Sequence, residues 1–401
     1  MRSGLVAVLD LGRTSLRVVA LTQEGEVVLE HRASSPVRPG PPFPHLDVEA
    51  ALEELLEGLR LTAREGQVEC VVPVAHGAAV ALLARDELVL PVMDYEAPIA
   101  SLPRSEAEWH ETLSPPLPGG LNLASQLDHI EREHPAELGR AEHALPLPQL
   151  LAHRLGGGLA SEVTSLGCHT HLWDPRRGAF SELARQRGWA DLFPPLIPAW
   201  ESVGTPSEAV AARTGLPRDC RLLCGIHDSN ASYLAHRAGR EAPFAVVSTG
   251  TWVVVLAAGA DLGTLRAEED MLANVDATAS PVATMRFHGG RRYAEHLERE
   301  GPAAAARDAA LEIDRCLERI GARGEVIVEG PMAHNQELLA DLAALRGAAP
   351  VFASDDVTGT TGGALVLARW QHPAPARPLR RVVAGPAADE LLAERARRQG
   401  R

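Results

Sequence analysis

Two stretches of the chain pair runs of β-branched and other apolar residues around a short polar turn. The first covers Leu5 to Leu21, with its turn at Gly12 to Ser15, and the second covers Phe244 to Leu256, with its turn at Ser248 to Thr251. Such a pattern predicts two strands joined as a hairpin. Backbone N–H groups and hydroxyls at the turns are donors of the kind that bind phosphate.

A third stretch, Leu222 to Tyr233, predicts a strand that leads directly into a helix. An apolar run is followed by Gly225, by Asp228 and then by small polar residues. Asp228 would then lie at a helix N-terminus, where the alternative to a chemical role is an N-cap. A carboxylate placed between two phosphate-type hairpins favours phosphoryl transfer.

Elsewhere in the first half, Asp47 is predicted to cap an amphipathic helix, and Val68 to Val74 is predicted to be a buried strand. This strand ends at His76, and Glu96 lies at another transition from strand to loop. The carboxyl ends of parallel strands open onto a crevice, so both residues are candidates for contacts with sugar hydroxyls. A purely structural role is the alternative for His76.

In the second half, residues 281–293 are predicted to be loop and strand, and Ala303 to Ile320 an amphipathic helix. Gly324 to Pro331 predicts a strand that ends in a tight turn, and Asn335 begins another helix. Gly359 opens a further apolar helix.

Composition limits the partners. The 401 residues contain 39 Lys and Arg against 53 Asp and Glu, a net charge of −14. This acidity argues against nucleic acid or an anionic membrane as the main partner. We find no apolar run long enough to span a membrane and no signal-peptide pattern, so we expect a cytoplasmic protein.

The five cysteines do not predict a disulfide framework or a zinc site. Their number is odd and no pair has zinc-ligand spacing. The alternative is a structural zinc held by a single short segment that contains Cys168, His169, His171 and Asp174. Because no second ligand pair stands elsewhere in the chain, we expect reduced cysteines that are mostly buried.

Taken in order, five motifs resemble those of the FGGY family of carbohydrate kinases, in the actin and hexokinase superfamily. They are Asp10 to Ser15, Gly225 to Ala231, Ser248 to Trp252, Glu329 to Pro331 with Asn335, and Gly362 to Ala364. The resemblance covers essentially the whole chain. It implies an α/β fold of two ribonuclease-H-like domains with a cleft between them, residues 1–240 binding the sugar and residues 241–401 binding ATP.

The resemblance also implies the role of each candidate residue. Asp228 would be the general base on the sugar hydroxyl, with His76 and Glu96 beside the sugar, and Asp10 would lie near Mg²⁺. The residues implied to bind ATP are Gly12, Arg13, Thr14, Thr249, Gly250, Thr251, Gly330 and Asn335. The implied partners are ATP, Mg²⁺ and a small sugar, and the family leaves room for a homodimer.

Two positions depart from the family pattern: Arg13 stands where many members have Thr, and Pro331 where a second Gly is usual. The leading hypothesis is ATP-dependent phosphorylation of a ketose, such as a pentulose or 6-deoxyhexulose, or of a related polyol. One alternative is a nucleotide hydrolase of the same superfamily. Another is a sugar or nucleotide sensor with weak or no catalysis, which the two departures favour and the intact Asp228 disfavours.

Overall fold

The computed structural model describes residues 2–250, 252–354, 359–372, 378–386 and 388–399. The chain divides into two compact units. The first comprises Met1–Ala235, Asn274–Pro281 and Thr360–Ala374, and the second comprises His236–Ala273, Val282–Gly359 and Pro375–Arg401. The assignment of the sugar to residues 1–240 and of ATP to residues 241–401 stays a prediction.

Strands are numbered in chain order. They are β1 (Arg2–Leu11), β2 (Ser15–Leu21), β3 (Val27–Ser34), β4 (Val37–Arg38), β5 (His45–Leu46), β6 (Gly66–Ala75), β7 (Val80–Ala84), β8 (Glu87–Leu88), β9 (Val92–Met93), β10 (His143–Pro146), β11 (Trp173–Asp174), β12 (Ala179–Phe180), β13 (Ser202–Gly204), β14 (Arg221–Leu223), β15 (Ile226–His227), β16 (Phe244–Thr249), β17 (Val253–Ala258), β18 (Met271–Val275), β19 (Pro281–Phe287), β20 (Glu325–Glu329), β21 (Val351–Ala353) and β22 (Arg380–Arg381).

The α-helices follow the same convention. They are α1 (Val48–Glu65), α2 (Glu106–Thr112), α3 (Leu123–Glu133), α4 (Pro135–Leu138), α5 (Leu147–Leu155), α6 (Val163–Leu166), α7 (Glu182–Gln186), α8 (Glu208–Thr214), α9 (Asp228–Arg237), α10 (Gly289–Glu300), α11 (Pro302–Arg319), α12 (Gln336–Arg346), α13 (Gly359–Ala368) and α14 (Ala388–Gln399).

The main sheet of the first unit has the strand order β13-β14-β6-β1-β2-β3, with β15 also paired to β6. β1 and β2 are antiparallel, whereas β6 runs parallel to both β1 and β15. Ala75 at the end of β6 is level with Leu11 on one side and His227 on the other. The ends of three adjacent strands therefore bring Asp10, His76 and Asp228 to the same edge of the sheet.

The second unit has a mixed sheet of order β18-β19-β17-β16-β20-β21-β22. β16 and β17 form an antiparallel hairpin, and β20 runs parallel to β16 with Ser248 level with Glu329. The tip at Gly250 and the turn at Gly330 consequently lie next to each other.

Most of the predicted elements in these regions are confirmed. Both hairpins form, and Asp47 caps α1 by accepting a hydrogen bond from the Ala50 backbone. Asn335 caps α12 in the same way, through Leu338. The prediction of loop and strand for residues 281–293 was wrong in its second part, because α10 begins at Gly289. Two consecutive glycines have low helix propensity, and they masked the start of this helix.

Among the helices in the described ranges, none combines the length and the apolar character that crossing a bilayer requires.

Candidate active site

Asp228 is the first residue of α9 and directly follows β15. Its Oδ1 accepts hydrogen bonds from the backbone N–H of Ser229 at 2.6 Å and from the Ser229 hydroxyl at 3.2 Å. An N-cap residue precedes the first helical residue and accepts from the second or third N–H of the helix. Asp228 does neither, so the N-cap alternative does not describe it.

The Asp228 carboxyl group has an unusual proton affinity for an aspartate. Although 30% of the side chain is exposed, desolvation by the surrounding protein and, to a smaller extent, the charge on Asp10 raise its pKa to about 6. His76 and the hydrogen bonds from Ser229 oppose this shift. A carboxylate that is accessible and more basic than usual is suited to accepting a proton near neutral pH.

His227 contacts the carboxylate directly, with its Nε2 3.2 Å from Oδ1 of Asp228. The Asn230 side-chain amide lies 3.1 Å from Nδ1 of the same ring. Burial and, to a smaller extent, the neighbouring His76 lower the pKa of His227 to about 4. The ring is therefore neutral at physiological pH. With Nδ1 accepting from Asn230, its proton is on Nε2, the ring atom that lies nearest to the Asp228 carboxylate.

Gly77 makes this arrangement possible. A Cβ atom at residue 77 would come within 2.7 Å of the His227 Nε2 atom. Sequence reasoning did not select His227 or Asn230. The available signal was the His-Asp dipeptide, because a histidine that directly precedes a candidate base can reach its carboxylate.

His76 follows the end of β6, where its backbone N–H donates to the carbonyl of Leu11 at 3.0 Å. Its Nδ1 donates to the Gly77 carbonyl at 2.9 Å. Burial lowers the pKa of His76. The Tyr95 ring packs against it edge to face, with a centroid separation of 5.3 Å. His76 is thus held neutral, with Nε2 as an acceptor.

Asp10 lies at the end of β1 and is nearly buried. Its Oδ2 forms an ion pair with Arg17, which is its neighbour across the hairpin. The Thr360 hydroxyl lies 3.1 Å from the same oxygen and also 3.1 Å from Nη2 of Arg17. Thr360, the second residue of α13, belongs to the same unit as the hairpin and is hydrogen-bonded to both members of this ion pair.

Arg13, at the tip of the first hairpin, is engaged by two carboxylates. Its Nε and Nη2 atoms bind Asp94 in a two-pronged contact at 3.2 and 3.0 Å, and Nη2 also lies 2.6 Å from Glu96. Asp94 is buried, whereas 58% of the Glu96 side chain is exposed. Arg13 thus holds Glu96 in place, and Gly12 and Thr14 flank it at the tip.

The described part of the second unit's hairpin tip is held by a hydroxyl and by backbone groups. The Thr249 hydroxyl donates to the Glu329 carbonyl at 2.5 Å and accepts from the Met332 backbone N–H at 3.0 Å. Gly330 has φ +79°, and a Cβ atom there would lie 2.1 Å from the Thr249 carbonyl oxygen. Gly250 is exposed at the tip. Thr251 lies outside the described residues.

Asn335 has two contacts in this unit. Its Oδ1 caps α12, and its Nδ2 donates to the Tyr293 hydroxyl at 2.9 Å. Next to the tip, the rings of Trp252 and His288 are in contact, with centroids 3.5 Å apart and planes tilted by 33°. The roles of Gly250, Gly330 and Asn335 in binding a nucleotide stay predictions.

The structure thus divides the predicted site residues into two groups. Asp10, Gly12, Arg13, Thr14, His76, Glu96 and Asp228 belong to the first unit, and Thr249, Gly250, Gly330 and Asn335 belong to the second. Within the described ranges, no cluster of three or more His, Cys, Asp or Glu side chains has the geometry of a metal site. All five cysteines are buried free thiols.

Comparison with known proteins identifies a family of similar sequence and structure. Residues 241–308 and 294–377 match the model of the carbohydrate kinase FGGY C-terminal domain. The crystal structure of a carbohydrate kinase from Novosphingobium aromaticivorans has 30% sequence identity to this chain, covers 100% of both chains and has a TM-score of 0.89. This likeness confirms the predicted fold class of two ribonuclease-H-like α/β domains.

Curated relatives are more distant. The L-fuculokinase of Escherichia coli K12 is 26% identical over 281 residues, 66% of this chain and 58% of its own length. The rhamnulokinase of Bacteroides thetaiotaomicron is 27% identical over 273 residues, 63% of this chain and 54% of its own length. The chain therefore spans little more than half the length of the curated relatives it matches.

Proposed function

Because this chain belongs to the FGGY family of carbohydrate kinases, we propose that it phosphorylates a hydroxyl of a small sugar, with ATP as the donor. The preferred substrate class is a ketose, such as a pentulose or 6-deoxyhexulose, or a related polyol. The L-fuculokinase and rhamnulokinase relatives support this class. We propose a cytoplasmic location, where ATP is available, and the homodimer stays a prediction.

One observation supports the proposal above the others. Asp228 is accessible, its pKa is raised to about 6, and the Nε2 atom of a neutral histidine lies 3.2 Å from the same carboxylate. A carboxylate in this state can accept a proton from a hydroxyl without first having to ionise it.

In the proposed reaction, the sugar hydroxyl transfers its proton to a carboxylate oxygen of Asp228. The hydroxyl oxygen forms a bond to the γ-phosphorus of ATP as the bond from that phosphorus to the bridging oxygen breaks, and ADP leaves. Phosphoryl transfer has a loose transition state, so Asp228 accepts the proton late and mainly orients the nucleophile. The hydrogen bonds from Ser229 and the contact with His227 keep the carboxylate aimed while it is ionised.

Asp10 is suited to binding Mg²⁺ through water and not directly. Arg17 and Thr360 both contact its Oδ2, and we propose that Oδ1 would accept a hydrogen bond from a water of the ion's hydration shell. Mg²⁺ retains several waters and needs one or two carboxylates in addition to substrate phosphates. When bound, the ion supplies neutralisation of the phosphate charge.

The side chains around Asp228 favour a neutral substrate. Asp94 and Glu96 share one arginine, Arg13, which leaves this group with a net negative charge. A sugar carboxylate would meet repulsion from Glu96 and Asp228, whereas a sugar hydroxyl can donate to both. We therefore propose a neutral ketose or polyol over an aldonate or uronate.

A coupled assay of ADP release tests the proposal. Neutral ketoses, polyols and sugar acids are each incubated with the protein, ATP and Mg²⁺. We expect turnover that depends on a neutral sugar. ADP release without sugar would favour the hydrolase, and saturable sugar binding without turnover would favour the sensor.

The pH dependence of the same assay examines Asp228. With its pKa at about 6, we expect kcat/KM to fall tenfold per pH unit below about pH 6, as the carboxylate takes up a proton. An acid limb that begins near pH 4 would contradict the raised pKa.

A further inference from the structure

A buried threonine hydroxyl is bonded to the backbone immediately before Asp228. The N–H of His227 donates to Oγ1 of Thr164 at 3.1 Å. Thr164 is 63 residues away in sequence and has no exposed surface, with a relative exposure of 0%. The contact therefore connects α6 to the backbone of His227, the residue that directly precedes the candidate base Asp228.

Glu162 fixes this hydroxyl from the other side. Its Oε2 is hydrogen-bonded to the Thr164 hydroxyl and accepts the Thr164 backbone N–H at 3.0 Å. A hydroxyl has one proton and two lone pairs, so Thr164 can hold His227 and Glu162 at the same time. Glu162 is itself fully buried, and burial raises its pKa to about 7.

The far end of α6 is also held closely. A Cβ atom at Gly167, which ends this helix, would lie 2.4 Å from Cγ2 of Val275. Both residues belong to the first unit. Because the helix is fixed at both ends, the Thr164 hydroxyl is a firm reference point for the short strand β15, which has only two residues.

We propose that Thr164 is a positioning residue for the reaction, whose hydroxyl, held by Glu162, fixes the His227 peptide and thereby aims Asp228 at the sugar hydroxyl. This inference rests on the proposed function. Errors of about 1 Å in the placement of a reacting group can cost roughly 100-fold in rate. The contribution of Thr164 should therefore be seen in kcat and not in the affinity for ATP.

The test compares two substitutions that have the same side-chain connectivity, Thr164→Ser and Thr164→Cys. Serine keeps the hydroxyl, whereas cysteine replaces it with a thiol, which is a weak acceptor. We expect kcat of Thr164→Ser within about threefold of the unsubstituted protein and kcat of Thr164→Cys at least tenfold lower. KM for ATP should stay within twofold in both. Both variants delete the same methyl group, so a loss of packing affects them alike.

Thr62→Ser and Thr62→Cys provide the control. Thr62 is equally buried, and its hydroxyl donates to the Gly58 carbonyl at 2.9 Å within α1. We expect this pair to have equal kcat values. Equal kcat values for the two Thr164 variants, with sugar-dependent turnover intact, would overturn the positioning role alone. If the unsubstituted protein has no sugar-dependent turnover, the proposed function and this inference both fall.

Discussion

The two units contain the same arrangement of strands and place different chemistry on it. In each, an antiparallel hairpin is followed by a strand that runs parallel to its first member: β1, β2 and β6 in one unit, and β16, β17 and β20 in the other. The tip of the first hairpin is surrounded by ionised groups, including Asp10 and Arg13. The tip of the second is held by the Thr249 hydroxyl and by backbone groups.

This difference supports the proposed roles of the two units. Carboxylates can accept protons and attract Mg²⁺, and in the first unit Asp10 adds to the effect of burial in raising the pKa of Asp228. A tip held by a hydroxyl and by closely packed backbone groups suits phosphate oxygens, which accept hydrogen bonds and are repelled by carboxylates. Each of the following predictions perturbs one copy and leaves the other unchanged.

The largest effect is expected at Asp228. Asp228→Asn removes the proton acceptor and keeps the size of the side chain, so we expect kcat to fall by roughly 100- to 10,000-fold. KM for ATP should change little, because the substitution lies in the first unit. Steady-state kinetics of Asp228→Asn and of the exposed control Asp219→Asn measure the effect. Unaltered turnover would remove Asp228 from the role of base.

A substitution in the second unit should change nucleotide affinity instead. Gly330→Ala would place a Cβ atom 2.1 Å from the Thr249 carbonyl oxygen and so displace the tip of the second hairpin. We expect KM for ATP to rise about tenfold, which corresponds to roughly 1.4 kcal/mol, while KM for the sugar stays within twofold.

Gly301→Ala separates this collision from backbone strain. Gly301 has φ 86° and ψ 175°, close to the φ 79° and ψ −165° of Gly330. A Cβ atom at residue 301 meets nothing within 4 Å. Both variants should melt at a lower temperature, because alanine is strained in this region. A rise in KM for ATP in Gly301→Ala as well would assign the effect to strain.

A substitution of Arg13, which departs from the family pattern, tests whether this residue contributes to binding the sugar or to binding ATP. Arg13→Lys keeps the charge and loses the two-pronged contact with Asp94. We expect KM for the sugar to rise by about tenfold or more, since a hydrogen bond to a charged group contributes roughly 1.5–3 kcal/mol and about 1.4 kcal/mol corresponds to tenfold. Arg32→Lys, on an exposed ion pair with Glu30, is the control. A larger rise in KM for ATP would return Arg13 to the predicted phosphate contacts.

The sequence predicted those parts of the fold and site that depend on local pattern. Hairpins and the cap at Asp47 follow from residues within a few positions of each other. Contacts between distant segments could not be found in this way: Thr360 reaches Arg17 across 343 positions and Thr164 reaches His227 across 63. His227 was missed for another reason, because a single histidine in an apolar strand has the pattern of a core residue.

The smallest effect expected is a gain in stability from the same Asp228→Asn substitution. The folded-state pKa of Asp228, about 6, is above the usual value for Asp of about 4. The folded protein therefore binds this proton more tightly than the unfolded chain. The resulting stabilisation is fully present below about pH 4 and is lost as the pH rises through 6.

At pH 8 the unsubstituted protein must keep Asp228 ionised in a site that favours the neutral form, and asparagine has no such cost. We expect Asp228→Asn to melt about 2–4 °C higher at pH 8, as for a gain near 1 kcal/mol in a domain of this size. The difference should shrink toward zero at pH 4. Calorimetry at the two pH values, with Asp219→Asn beside it, measures this. If Asp228→Asn melted at a lower temperature than the unsubstituted protein at pH 8, the ionised carboxylate would stabilise the first unit. The hypothesis that ionising Asp228 costs stability would then be wrong.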